Sequence, residues 1–134
     1  MKELIKVRKE FQDKRGEIYK KHGLFFAITD EDFNKEAAKA SLKRTDYYAL
    51  FGSGFIPKKN VVEFNKELNK SFRDEDEIVT SPKFRDKLIA YELSNYECYC
   101  CGDISDALAV LEPKGITFEE VSKVYKQEYP KQDL

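Results

Sequence analysis

Hydrophobic positions recur at helical spacing along most of the chain. Leu4, Val7, Phe11 and Ile18 make one stripe over the first 22 residues, widened by Ile5 and Tyr19, and Gly23 stands where a left-handed residue would close a helix. The remaining positions carry Lys2, Lys6, Arg8, Lys9, Lys14, Arg15, Lys20 and Lys21 against Glu3, Glu10, Asp13 and Glu17. This helix is therefore net positive, and a solvated face with i,i+4 ion pairs accounts for most of that charge. A short apolar run, 24–28, follows and reads as a buried strand or turn. Thr29 then precedes Asp30, Glu31 and Asp32, a hydroxyl cap with acids in the first turn, which predicts a second helix over 30–43.

Tyr47 to Phe51 and Phe55 to Pro57 flank Gly52-Ser53-Gly54, a pattern of two short aromatic strands about a glycine turn. Pro57 lacks a backbone donor, so its strand must be short or lie at an edge. Val61, Phe64, Leu68 and Phe72 predict a third helix from Asn60 to Arg73, broken by the acidic run 74–77. Ser81-Pro82 is the expected start of a fourth, which carries Phe84, Leu88, Tyr91 and Leu93 to Tyr96. Gly102-Asp103 opens a fifth with Ile104, Ala107, Leu108 and Leu111, stopped by Pro113 and Gly115. Thr117 and Glu120 form a capping-box pattern for a last helix ending near Pro130, and the tail 130–134 is expected to fray. The fold class is α+β, mainly α: five to six short helices with a small two- or three-stranded β element, expected as a single domain over 1–134.

Composition supports a folded chain. Its 134 residues are 41% hydrophobic and 37% charged, enough apolar surface to offset ordering entropy. The net charge of −1 gives no global field to draw in nucleic acid or an anionic membrane. No signal-peptide run or membrane-length apolar segment is present, and the three cysteines lie together at Cys98, Cys100 and Cys101, so a cytoplasmic protein is expected.

Candidate chemistry is sparse. Zinc needs four ligands, usually from two separated pairs, and here one cysteine cluster faces a single distant histidine, His22. His22 is also the one histidine base for a cysteine nucleophile, but it reads as the basic last turn of the first helix. Asp103 and Asp106 fall at i,i+3, as acids at a helix start often do. Gly52-Ser53-Gly54 lacks the Lys-Ser or Lys-Thr pair of a phosphate loop. The last two helices have a helix-turn-helix outline, yet Glu119 and Glu120 stand where a DNA-reading helix would meet phosphates. The expectation is a non-enzymatic protein with no cofactor, no metal and no catalytic residue.

The stretches Tyr91 to Glu97, Gly102 to Leu108, Gly115-Ile116-Thr117 and Val124-Tyr125, with His22 to Ala27 and Phe55 to Lys58 earlier, resemble a family of small uncharacterised proteins of phages and other bacterial mobile elements. Cys98 to Cys101 departs from that pattern, where aromatic and small polar residues are expected. The resemblance implies a bacterial host cell and a mode of action by binding a host protein, including inhibition of defence systems such as CRISPR. On this reading the candidate partner-binding residues are Arg8, Lys9, Arg15, Tyr47, Tyr48, Tyr96 and Tyr99, with core packing the competing role for the tyrosines. The alternative is a nucleic-acid-associated protein using the basic face of the first helix with Lys39, Lys43, Arg44, Lys58 and Lys59. No membrane partner is expected.

Overall fold

A computed structural model describes every residue except Phe51 and Leu134. It is 71% helical, with seven α-helices among the described residues and a small three-stranded antiparallel sheet, so the fold is α+β and mainly α. The order is α1 (Lys2–Lys21), β1 (Phe25–Phe26), α2 (Asp30–Lys39), β2 (Tyr47–Leu50), β3 (Gly54–Pro57), α3 (Val61–Val79), α4 (Arg85–Asn95), α5 (Cys98–Cys101), α6 (Ser105–Leu111) and α7 (Phe118–Glu128). Two compact units emerge: a terminal unit of Met1–Arg8 with Asp74–Leu134, and a central unit of Lys9–Arg73. The cuts fall within the residue ranges of α1 and α3.

In the central unit, α1 closes as the glycine predicts. Gly23 adopts φ +74°, its N–H donates to the Lys20 carbonyl at 3.2 Å, and the Leu24 N–H reaches the Tyr19 carbonyl at 2.9 Å. That is a Schellman closure, and it turns the chain directly into β1. Thr29 caps α2 by accepting from the Asp32 N–H at 3.1 Å. This helix stops four residues short of the expected 43: Ser41 takes φ 55°, with N–H bonds from Ser41 to the Ala38 carbonyl and from Leu42 to the Ala37 carbonyl closing the end.

The sheet order is β1-β3-β2, so the strand containing Pro57 is central rather than at an edge. It tolerates the proline because it is short and Pro57 is its last residue, paired only with Tyr47. Phe25, Phe55 and Tyr47 share the face that packs on Phe33 and Ala37 of α2, with Phe33 and Phe55 ring centres 4.8 Å apart. The expected end of the first strand at Phe51 lies outside the described residues.

In the terminal unit, Leu4 of α1 joins Val79, Leu88, Ile89, Leu93, Leu111, Val121 and Val124 in one core. The acidic run does not end α3, which continues to Val79. Glu75 occupies a buried slot on the helix and faces Arg8, with Nε to Oε2 at 4.0 Å, while Asp76 pairs with Lys114. Acids near a helix C-terminus are unfavourable to the dipole, and these cations offset that cost. The fourth helix begins at Arg85, not at Ser81, because the Ser81 hydroxyl bonds back to the Ile78 carbonyl instead of capping forward.

The cysteine segment forms the short α5, entered by Glu97 at φ 55° and left by Gly102 at φ 72°. The α7 capping box is present, Thr117 Oγ1 accepting from the Glu120 N–H at 3.2 Å and Glu120 Oε2 from the Thr117 N–H at 2.8 Å. A 3₁₀ turn over Tyr129–Lys131 follows α7, with Gln132 Nε2 donating to the Glu128 carbonyl at 2.9 Å.

Candidate interaction surface

The seven residues singled out from sequence divide between the units. Arg8 is occupied: its Nη1 donates to Glu92 Oε1 at 3.3 Å, and its guanidinium lies 5.2 Å from the Tyr91 ring centre. Its single positive charge is shared between the buried carboxylates of Glu75 and Glu92, both within the terminal unit. Tyr99 is buried and stacked on Tyr125 at 5.5 Å, and burial raises its hydroxyl to about 12. Tyr47 is also buried, inside the aromatic cluster of the central unit. Both leave the set of surface aromatics, because alternation with small or apolar neighbours marks packing as readily as display. Lys9 is exposed, Arg15 stacks on the Phe72 ring at 4.4 Å, and Tyr48 and Tyr96 remain exposed.

The cysteines do not form one site. Cys98 is buried in the terminal core and burial raises its thiol, whereas Cys100 and Cys101 are exposed. All three are free thiols, and among the described residues no group of three or more His, Cys, Asp or Glu is arranged to hold a metal ion. Asp103 turns its carboxylate to the Ser105 N–H at 2.9 Å and to the Ser105 hydroxyl, and these bonds hold its carboxyl below the usual range. It organises the start of α6.

His22, expected in the basic last turn of the first helix, lies just past α1 in a buried site. Its Nε2 stands 2.6 Å from Glu67 Oε2, its ring makes an edge-on contact to Phe64, and its carbonyl accepts from Asn60 Nδ2 at 2.8 Å. Hydrogen bonds from Lys21 and His22 hold the Glu67 carboxyl below its ordinary value. Nothing local in the sequence marks this pair, since 45 residues separate its members.

The charge of the chain is unevenly divided. The central unit carries 14 Lys and Arg against 10 Asp and Glu, a net +4, and the terminal unit 10 against 15, a net −5. The near-zero total concealed this, because the terminal unit draws on both ends of the chain.

The central unit also displays apolar side chains. Strand pairing places Phe26 opposite Gly54 and Tyr48 opposite Ile56, on the sheet face away from Phe33. Ile56 is fully buried on that face, but Phe26 is 64% and Tyr48 48% exposed, and the neighbouring Ile28 is 91% exposed. Lys58 Nζ stands 5.1 Å from the Tyr48 ring centre. Gly54 lets the Phe26 ring lie close to the strand: a Cβ there would sit 3.2 Å from the ring, which would have to shift by a few tenths of an ångström.

Two clefts open beside this sheet within the same unit. One, about 350 Å³, lies among Lys20, Leu24, Glu36, Lys39 and Tyr47; the other, about 220 Å³, lies among Leu42, Asp46, Lys58 and Lys59; Pro57 lines both.

The chain belongs to a family of unknown function, DUF7659, which matches residues 7–131. No curated protein and no solved structure matches it. Among the described residues no helix is long and apolar enough to cross a membrane.

Proposed function

We propose that the protein acts by stoichiometric binding to a host protein, as a non-enzymatic accessory protein of a phage or mobile element that inhibits a bacterial defence system such as CRISPR. The observation that carries the binding reading is the exposed trio Phe26, Ile28 and Tyr48 on a unit of net charge +4. Large apolar side chains cost free energy in water, and aromatic residues are enriched as anchors at interface centres. The phage setting and the defence target rest on the resemblance of segments such as Tyr91 to Glu97 and Gly102 to Leu108.

Affinity purification of the tagged chain from its bacterial host tests the reading. One protein should be retained in equimolar amount and released by the double substitution Phe26→Ser and Tyr48→Ala. Retention unaffected by that variant, or no stoichiometric protein at all, would count against it.

The charge of the central unit favours one second reading, association with nucleic acid through the basic face of the first helix with Lys39, Lys43, Arg44, Lys58 and Lys59. Retention of nucleic acid that falls steeply with added salt would support it.

A further inference from the structure

All the cysteines of the chain share the single turn of α5, and their spacing sorts them. The Cys101 N–H donates to the Glu97 carbonyl at 3.2 Å and the Gly102 N–H to the Cys98 carbonyl at 2.9 Å, so 97–102 is a closed α-helical turn. Residues three apart on such a turn share a face, with Cα atoms roughly 5 Å apart, inside the span that a disulfide bridges. Adjacent residues do not face each other. The pair that can bridge is therefore Cys98 with Cys101, and Cys100 is left over.

Their surroundings give the two partners different parts. Cys101 is exposed, its Sγ 3.9 Å from the Cys98 carbonyl oxygen and 3.5 Å from that of Asp103. Cys98 is fully buried in the core of the terminal unit, and burial raises its thiol. A reagent in solution therefore meets Cys101 first, and Cys98 can be reached only from within its own turn.

We propose that Cys98 and Cys101 form a redox-modification site: a peroxide oxidises Cys101, and Cys98 resolves the product as a disulfide within α5. The Cys101 sulfur attacks one peroxide oxygen and the O–O bond breaks, leaving Cys101 as a sulfenic acid and releasing one water. The Cys98 sulfur then forms the S–S bond while the S–O bond breaks, and its proton leaves with that oxygen as a second water. The two thiols give up two electrons in all, and the peroxide takes them. Placement on one turn offsets the low reactivity of a buried thiol. This site lies wholly in the terminal unit and does not depend on the binding reading.

Dilute hydrogen peroxide added to the full reduced chain tests this, followed by alkylation and non-reducing chymotryptic mapping, which cuts after Tyr99. The expected product is a chain lighter by two hydrogens, bridged from Cys98 to Cys101, with Cys100 alkylated and the mass restored by dithiothreitol. Cys101→Ser should lose the bridge and Cys100→Ser should keep it, both melting like the parent because neither position is buried. Cys98→Ser, read in folded molecules, should stop at a Cys101 sulfenic acid that dimedone traps. A Cys100–Cys101 bridge, a bridge between two chains through Cys100, or Cys101 carried to sulfinic acid with Cys98 still free would each overturn the assignment. So would three free thiols after an exposure that oxidises an unstructured Cys-x-x-Cys peptide.

Discussion

Arg85 grips Glu120 with two parallel hydrogen bonds, Nε to Oε1 at 2.7 Å and Nη2 to Oε2 at 3.0 Å. The same guanidinium donates to the carbonyls of Thr80 and Gly115, so one side chain ties the end of α3, the start of α4 and the turn before α7. Glu120 meanwhile closes the α7 capping box. With the Arg85 hydrogen bonds first and the Thr117 N–H next, its carboxyl is lowered from 4.5 to about 2.

A pH dependence follows from that lowering. A carboxylate whose folded pKa is depressed stabilises the fold above its unfolded value and loses that contribution as pH falls toward the folded one. Thermal melts should therefore show stability lost between about pH 4.5 and 2, the window set by Glu120. Glu120→Gln should lower neutral-pH stability by about 1 kcal/mol, a value discounted for the exposure of the pair, and flatten that part of the acid limb. An acid limb identical in the variant would show that the fork contributes nothing.

Ser41 holds φ 55° at the end of α2, a region L side chains enter at a cost. Ser41→Gly should stabilise the protein by up to about 1 kcal/mol, and Ser41→Val should destabilise it, both read from denaturant midpoints. The opposite order would contradict the left-handed closure of α2 at Ser41.

The three cysteines should separate by reactivity and by stability. An aromatic disulfide reagent should titrate Cys100 and Cys101 rapidly and Cys98 only on unfolding. Cys98→Ser places a hydroxyl in an apolar core and should cost about 1–3 kcal/mol, while Cys100→Ser and Cys101→Ser should be near neutral. None of the three should abolish partner binding in a folded variant. Loss of function on replacing an exposed thiol, with stability and partner affinity intact, would point to catalysis.

How far the sequence reached depends on whether the determining contact is local. Thr29 over Asp32 and Thr117 over Glu120 are three-residue relationships, and both caps are present as predicted. Glu75 shows the limit: a carboxylate in a run of four acids reads as a helix breaker until Arg8, far away in sequence, is known to face it. The His22–Glu67 pair is hidden for the same reason. Tyr47 and Tyr48 are adjacent, and one is buried and the other displayed because strand geometry sends neighbours to opposite faces. The charge contrast between the units required knowing that Met1–Arg8 belongs with Asp74–Leu134.

Among partner-binding variants, substitutions at the displayed residues should act without unfolding. Phe26→Ser and Tyr48→Ala each remove a side chain outside the two cores, 64% and 48% exposed, so melting temperatures should move much less than for a core residue while partner affinity falls roughly tenfold or more. Tyr47→Ala, in the core, should instead cost about 3–5 kcal/mol. Similar effects of Tyr47 and Tyr48 on stability would contradict the assignment of the two sheet faces.

Hydrogen exchange on the complex isolated from the bacterial host tests the central claim most directly, because it locates the partner on the chain without any substitution. Binding through the central unit predicts new protection over 25–28, 47–50 and 54–59, with the amides of α6 and α7 unchanged. Protection confined to Met1–Arg8 and Asp74–Leu134, or no change anywhere on the chain, would contradict it.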